Sequence, residues 1–224
     1  MTDEGKKVRK YIAKTSFSLF VVNGFEKTTY SAIAKASGLN RSLIQYYYPK
    51  KEILVHKFLE AMIAEIDQCA KGLCSSKDNM VRIIIFYQIY YSFLYKNEAA
   101  KNLTEELLAH RFEVSSLMGR YFVSQMNVDE ERFDECLEAF IFSIGGVHEL
   151  MYYLLLSQKE VDPVHLCAKT IQVLRIHVFA GQEEQLNEML QRSILSDKQI
   201  NTAIEHLCGT LFFPRIIHSE TFEQ

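Results

Sequence analysis

The chain has 224 residues, 48% of them hydrophobic and 24% charged, with nine Gly, three Pro and no Trp. That is enough apolar material for a buried core and too little turn chemistry for a many-stranded sandwich, and it excludes a disordered polar chain. The net charge of −3 conceals an asymmetry: residues 1–55 carry ten basic and four acidic side chains (net +6), and the remainder 15 basic and 24 acidic ones (net −9).

The periodicity predicts an all-α chain. A helix over about 5–23, with Val8, Ile12, Leu19 and Val22 on one side, stops at Asn23-Gly24, where Gly is expected in the left-handed conformation. Thr28 or Thr29 then caps a short helix to about Ala36, and Ser37-Gly38-Leu39 forms a tight turn. Asn40 caps a third helix, Arg41 to about Tyr47, which Pro49 ends. A longer helix over Lys50–Leu73 carries Leu54, Phe58, Ala61, Ile66, Cys69 and Leu73 at helical spacing.

Ser75-x-x-Asp78 resembles a capping box ahead of Asn79–Lys96, a helix apolar almost all round and therefore expected to be buried on most faces. Further helices are expected at about Glu98–Phe112, Ser115–Asn127 and Asp129–Ser157. In the last, Gly145-Gly146 is expected either to bend the helix or to press against another backbone. Asp162-Pro163 opens a helix ending near Gly181, and two shorter ones, about Glu183–Leu195 and Asp197–Leu211, follow before a loose tail from Phe213. Ser196-x-x-Gln199 marks the start of the second of these.

Five cysteines without a C-x-x-C pair, and a start lacking an apolar stretch, lead to the expectation of a cytoplasmic chain with reduced thiols. Ala139–Leu156 approaches spanning length, but Gly145, Gly146, His148 and Glu149 at its centre favour a buried helix, so no membrane contact is expected.

Residues 24–54 hold the functional pattern. Two short helices meet at a turn, with Ala34 small enough for a close crossing and Gly38 making the turn. Ile33, Leu39, Ile44 and Tyr48 are expected to face inward, leaving Arg41, Ser42, Gln45 and Tyr46 on the outer face of the second helix. A short donor-rich helix on a basic head suits the major groove of B-DNA. This is a helix-turn-helix.

Ile12, Leu19-Phe20, Gly24-Phe25, Thr28-Thr29, Ile33-Ala34, Ala36, Gly38, Tyr47-Tyr48, Lys51-Glu52 and Leu54 at this spacing make the stretch 8–58 resemble the tetracycline-repressor (TetR) family of bacterial transcriptional regulators. The resemblance implies a homodimer whose amino-terminal head binds operator DNA and whose helical body dimerises and binds a small-molecule inducer. It corresponds to a head over 1–55 and a body over 56–224. The chain departs from the family pattern in three places: Leu43-Ile44-Gln45 replaces Thr-Leu-Tyr, Ala32 replaces an acidic residue, and Tyr48 replaces Phe. Thr29 then has to cap without a reciprocal partner, and the Tyr48 hydroxyl needs one of its own.

Thr29, Asn40, Tyr46, Tyr47, Lys50 and Lys51 are candidate phosphate contacts, and Arg41, Ser42 and Gln45 candidate readers of base edges. Gln is suited to bidentate pairing with adenine and Arg to guanine. Lys50-Lys51 opposes its helix's dipole, a small cost that a phosphate would reverse.

In the body, Tyr87, Tyr91 and Glu149 are candidate ligand contacts; an isolated carboxylate in so apolar a run is expected to be paired, protonated or exposed on a dimer surface. Two His-Leu-Cys tripeptides, at 165–167 and 206–208, place His and Cys about 200° apart on a helix, so neither chelates one ion. No metal, cofactor or enzymatic constellation is expected. The expected function is sequence-specific transcriptional regulation, a repressor released from DNA by an inducer. The alternative is a helical protein-interaction scaffold with lost or degenerate DNA binding.

Overall fold

The computed structural model describes residues 2–74, 79–110, 113–126, 128–177 and 183–212. These form α1 (Asp3–Asn23), α2 (Tyr30–Ser37), α3 (Arg41–Tyr47), α4 (Lys51–Leu73), α5 (Asn79–Lys96), α6 (Glu98–Ala109), α7 (Val114–Gln125), α8 (Glu130–Leu156), α9 (Pro163–His177), α10 (Glu183–Arg192) and α11 (Asp197–Leu211). Local chemistry delimits most of them. The side chains of Thr29, Asn40 and Asn97 accept from the amides of Ala32 (3.1 Å), Ser42 (2.8 Å) and Ala100 (2.8 Å). Ser196 and Gln199 close a full capping box, and Asp162 accepts from Val164 N (2.9 Å) across Pro163. Each such cap contributes about 1 kcal/mol. Asp129 precedes α8 without a side-chain cap bond. The Ser75–Asp78 box, the helix end near Gly181 and the tail from Phe213 lie outside the described residues.

Two glycine expectations change. Gly24 has φ +81° and ψ 165°, an extended positive-φ conformation rather than the left-handed helical one. The positive φ disfavours any side chain there, and a Cβ would sit 2.6 Å from a carboxylate oxygen of Glu106, which would have to shift. At the second site, α8 runs unbroken through Gly145-Gly146. A Cβ on Gly146 would meet nothing within 4 Å, and one on Gly145 only Ser115 Oγ at 3.7 Å. The close crossing is instead at Gly119 of α7, where a Cβ would lie 2.9 Å from Leu137 and 3.2 Å from Phe140 of α8.

The body is organised around α5, which packs against α4, α6, α9, α10 and α11. Phe86, Tyr87, Tyr90, Tyr91 and Phe93 are fully buried, as the all-round apolar pattern predicts. Each large side chain contributes about 1.5–3 kcal/mol by leaving water. Most of the polar atoms carried inward are paired across helices. Tyr90 Oη bonds His148 Nε2 of α8 (2.9 Å), and Tyr91 Oη bonds Thr170 Oγ1 of α9 (2.7 Å). Gln88 donates to Ser193 O (2.8 Å) and accepts from Leu195 N (2.9 Å), fastening the α10–α11 link.

Below this layer, the fully buried Asp67 of α4 accepts from Tyr121 Oη of α7 (2.7 Å) and ion-pairs with Lys71 (2.7 Å) and with Arg82 of α5 (3.5 Å). Such a buried cluster joins three helices at high desolvation cost and is sensitive to loss of one partner.

The head and body share one apolar core, and α4 passes unbroken through residue 55. By length and composition α8 could cross a membrane; here it packs Phe140, Ile144, Val147 and Met151 inward and contacts α6, α7 and α9.

Candidate nucleic-acid interface

Helix α3 is held from behind and open in front. Ile44 is fully buried on its inner side, with Ile33 of α2 and Ile12 and Phe20 of α1 in the same core. Tyr48, just beyond α3, is buried too, and its hydroxyl donates to Arg9 O of α1 (3.0 Å) while the Arg9 guanidinium stands 5.3 Å over its ring. The partner that this hydroxyl requires is therefore a backbone carbonyl. Burial pushes the Tyr48 phenol above its ordinary range, with Arg9 pulling the other way, so the group is a neutral donor at physiological pH. Tyr30 donates to Tyr48 O (2.7 Å) and Tyr11 to Ser37 O (3.2 Å), tying α2 and α1 to the same corner.

The turn between α2 and α3 uses Gly38 in the left-handed region (φ +68°, ψ 13°), followed by Asn40 as cap. This geometry carries Arg41, Ser42 and Leu43 to the surface, with Gln45 half-buried. Tyr46 is 78% exposed, and its ring meets that of Tyr47 edge-on at 5.3 Å. So large an aromatic surface left in water on a short helix is unusual for a folding role and suits contact with a partner. Leu39, expected inward, is half-buried.

Among the expected phosphate contacts, Thr29, Asn40, Tyr46 and Lys50 are exposed and Tyr47 is half-buried. Lys50 is the residue ahead of α4 and makes no side-chain cap bond, so no side chain of its own caps the first amides of that helix. Thr28, the alternative cap, is instead buried; its hydroxyl donates to Gly24 O (2.7 Å), with Leu19 O at 3.1 Å.

Lys51 already has partners within the head. Its ammonium donates to the carbonyl of Phe25 (2.6 Å), lies 3.4 Å from that of Glu26 and stands 4.0 Å over the Phe25 ring. Within the turn the Phe25 carbonyl accepts from Thr28 N (3.3 Å), and Lys51 adds a charged donor to it. The turn's amides are met from the other side. Glu106 of α6 accepts from Phe25 N and, at 3.4 Å, from Glu26 N. His110 Nε2, just past α6, lies 3.1 Å from Glu26 Oε1. One turn of the head is thus clasped between α4 and α6. Sequence reasoning misses Glu106 and His110 because nothing in a single sequence links positions some eighty residues apart.

The three candidate ligand contacts do not form one site. Tyr91 spends its hydroxyl on Thr170, whereas the Tyr87 hydroxyl is buried with no hydrogen-bond partner. Glu149 is exposed and lines a cleft of about 290 Å3 between α6, α7 and α8, together with His148, Gly145 and Tyr152. At the tripeptides, Cys167 is buried while His165 is exposed, and His206 pairs with Glu65 (3.5 Å) while Cys208 accepts from Asn97 (3.0 Å).

Residues 12–58 match the family described as bacterial regulatory proteins, tetR family. A relative from Bacillus subtilis (strain 168), the uncharacterized HTH-type transcriptional regulator YdgC, is 23% identical over 193 aligned residues, spanning 78% of this chain and 94% of the relative. A gamma-butyrolactone receptor (ArpA-like protein) is 17% identical, covers 84% of this chain and 99% of that one, and superposes with a TM-score of 0.37. Mycobacterium smegmatis AmtR is also 17% identical, covering 86% and 94% at a TM-score of 0.37. At such scores neither superposition bears on fold or ligand.

Proposed function

We propose that this chain, whose tetR-family head makes it a DNA-binding transcriptional regulator, is a homodimeric repressor that a small-molecule inducer releases from its operator. The observation that carries this reading is α3 itself, locked by Ile44 and Tyr48 behind and presenting Arg41, Ser42, Leu43 and Tyr46 to solvent in front. Arg41, Ser42 and Gln45 read base edges in the major groove, and Leu43 supplies apolar contact for a thymine methyl. Thr29, Asn40, Tyr46, Tyr47 and Lys50 hold phosphates, with Lys50 placed where the dipole of α4 favours an anion. Lys51 supports the turn instead. Residues 1–55 serve DNA and 56–224 serve dimerisation and ligand, although one core joins them. Working on DNA, the protein acts in the cytoplasm and without chemistry of its own.

Dimerisation is assigned to the outer face of α8 and the start of α9. Phe142 (71% exposed), Gly146, Glu149, Tyr153 and Leu156 follow one another at helical spacing on α8, and Val164 of α9 is also exposed. A largely apolar stripe of this length on a long helix, broken only at Glu149, supports burial against a second copy. The inducer reading is supported by the orphaned Tyr87 hydroxyl, since a buried unpaired donor costs about 1–3 kcal/mol that a ligand acceptor would recover. Movement of the body reaches the head through α4 and through the Glu106 clasp of α6.

A binding titration tests the DNA reading, using a duplex from the gene's own upstream region and a scrambled duplex at several salt concentrations. Gln45→Ala is expected to weaken and broaden preference, losing about 1–3 kcal/mol of discrimination. Lys50→Ala is expected to weaken both duplexes alike and to reduce the salt slope by about one. Equal affinity of the parent for both duplexes favours the protein-interaction scaffold.

A further inference from the structure

Where α1 meets α4 and α11, a cleft of about 380 Å3 opens at the seam between head and body. Its rim is cationic: Lys6, Arg9, Lys10, Lys14 and Lys57 stand around it, against one lining carboxylate, Glu65, which already faces His206 (3.5 Å). Its floor is apolar, with Ala13, Phe17, Tyr48 and Leu211 all buried and Ala61 half-buried. Lys6, Lys10 and Lys14 recur every fourth residue of α1, and like charges at that spacing cost a helix a few tenths of a kcal/mol per pair. Lys6 pairs with Asp3 (3.2 Å) and Lys57 with Glu60, but both pairs are solvent-exposed and hold their partners weakly.

We propose that this cleft is an effector site for a small organic anion with an apolar tail, held by its carboxylate at the Lys10–Lys57 rim with the tail laid on Phe17, Ala61 and Leu211. The volume lies within the range of small-molecule sites, and the division into charged rim and apolar floor matches an amphiphile. A bare inorganic ion would leave the floor unused, and a neutral hydrocarbon would leave the rim cations mutually repelling. The walls come from both parts of the molecule, α1 and Tyr48 from the head and α4 beyond residue 55 with α11 from the body. A bound ligand therefore fixes the seam, giving control of the head separate from the buried core around Tyr87.

Calorimetric titration of the full-length protein with octanoate tests the proposal, with acetate as the head group alone and 1-octanol as the tail alone. Octanoate is expected to bind at least tenfold more tightly than either. The Lys10→Gln/Lys57→Gln double variant is expected to lose at least tenfold in octanoate affinity with an unchanged circular dichroism spectrum. Ala61→Phe, which fills the floor and leaves the cations in place, is expected to abolish binding. Octanoate affinity that survives Ala61→Phe or the double variant overturns the proposal, as does acetate binding as tightly as octanoate. A double variant that loses only salt-dependent duplex affinity, with octanoate failing to bind the parent, assigns these cations to DNA instead and equally overturns it.

Discussion

Removing the Glu106 carboxylate is the sharpest test of how head and body communicate. In Glu106→Ala the amide of Phe25 loses its acceptor, and that of Glu26 loses a longer contact at 3.4 Å. A hydrogen bond to a charged group contributes about 1.5–3 kcal/mol net. Glu106 is half-buried and the Glu26 contact is long, so the loss is set at the lower bound, about 1.5 kcal/mol for the Phe25 bond alone. That free energy opens the turn locally, because Phe25 remains pinned by its buried ring and by Lys51 on its carbonyl. Amide hydrogen exchange read by NMR should then show the Phe25 protection factor falling roughly tenfold, at about 1.4 kcal/mol per decade. Amides in the middle of α5 should be unchanged. Glu106→Gln keeps an acceptor without the charge and should fall between the two. Protection at Phe25 within twofold of the parent in Glu106→Ala would refute the clasp, and with it the α6 route from body to head.

Other perturbations probe the same framework. Gly24→Ala combines positive-φ strain of about 1–3 kcal/mol with a 2.6 Å approach to Glu106; chemical denaturation should show the loss, and pairing it with Glu106→Ala should recover only the contact part. His148, hydrogen-bonded to Tyr90 in the core, is depressed by burial to about 4, against an ordinary value of 6.5. The unfolded chain therefore binds this proton more readily, so the stability contribution is intact above pH 6.5 and is lost as pH falls from 6.5 to about 4. Urea unfolding at pH 7.5 and 5.0 should show the parent losing about 2 kcal/mol more than His148→Gln; equal losses remove His148 as the cause. Phe142→Glu places a charge in the assigned dimer face, and analytical ultracentrifugation should find monomers at micromolar concentration with helicity retained; an intact dimer would move the interface elsewhere.

Much of the architecture is legible in the sequence because it is written locally. Helical periodicity, Thr29, Asn40 and Ser196 as caps, Pro163 at a first turn and Gly38 at a tight turn all act over a few residues. The aromatic run of α5 foretells its burial because no face of it is polar enough to meet water. The exposed side of α3 follows from the same periodicity once Ile44 is assigned inward.

What a local pattern cannot express is the identity of the partner across the fold. Lys51 reads as a phosphate contact by its place beside Lys50, yet tertiary packing brings it over Phe25 and onto two backbone carbonyls. Glu106 carries no mark of its task, because the amides it meets belong to a turn formed by another segment. Tyr87 and Tyr91 look equivalent one turn apart, and only the arrival of Thr170 from α9 spends one hydroxyl and leaves the other unpaired. Gly145-Gly146 looks like a crossing point, but which glycine meets a neighbouring helix depends on interhelical registry, and that favours Gly119. Periodicity and caps therefore determined which helices form and which faces turn inward, since those preferences are energies of a few neighbouring residues. The tertiary structure decided which polar group answers which, since desolvated donors and acceptors are satisfied by whatever the folded chain brings within about 3 Å.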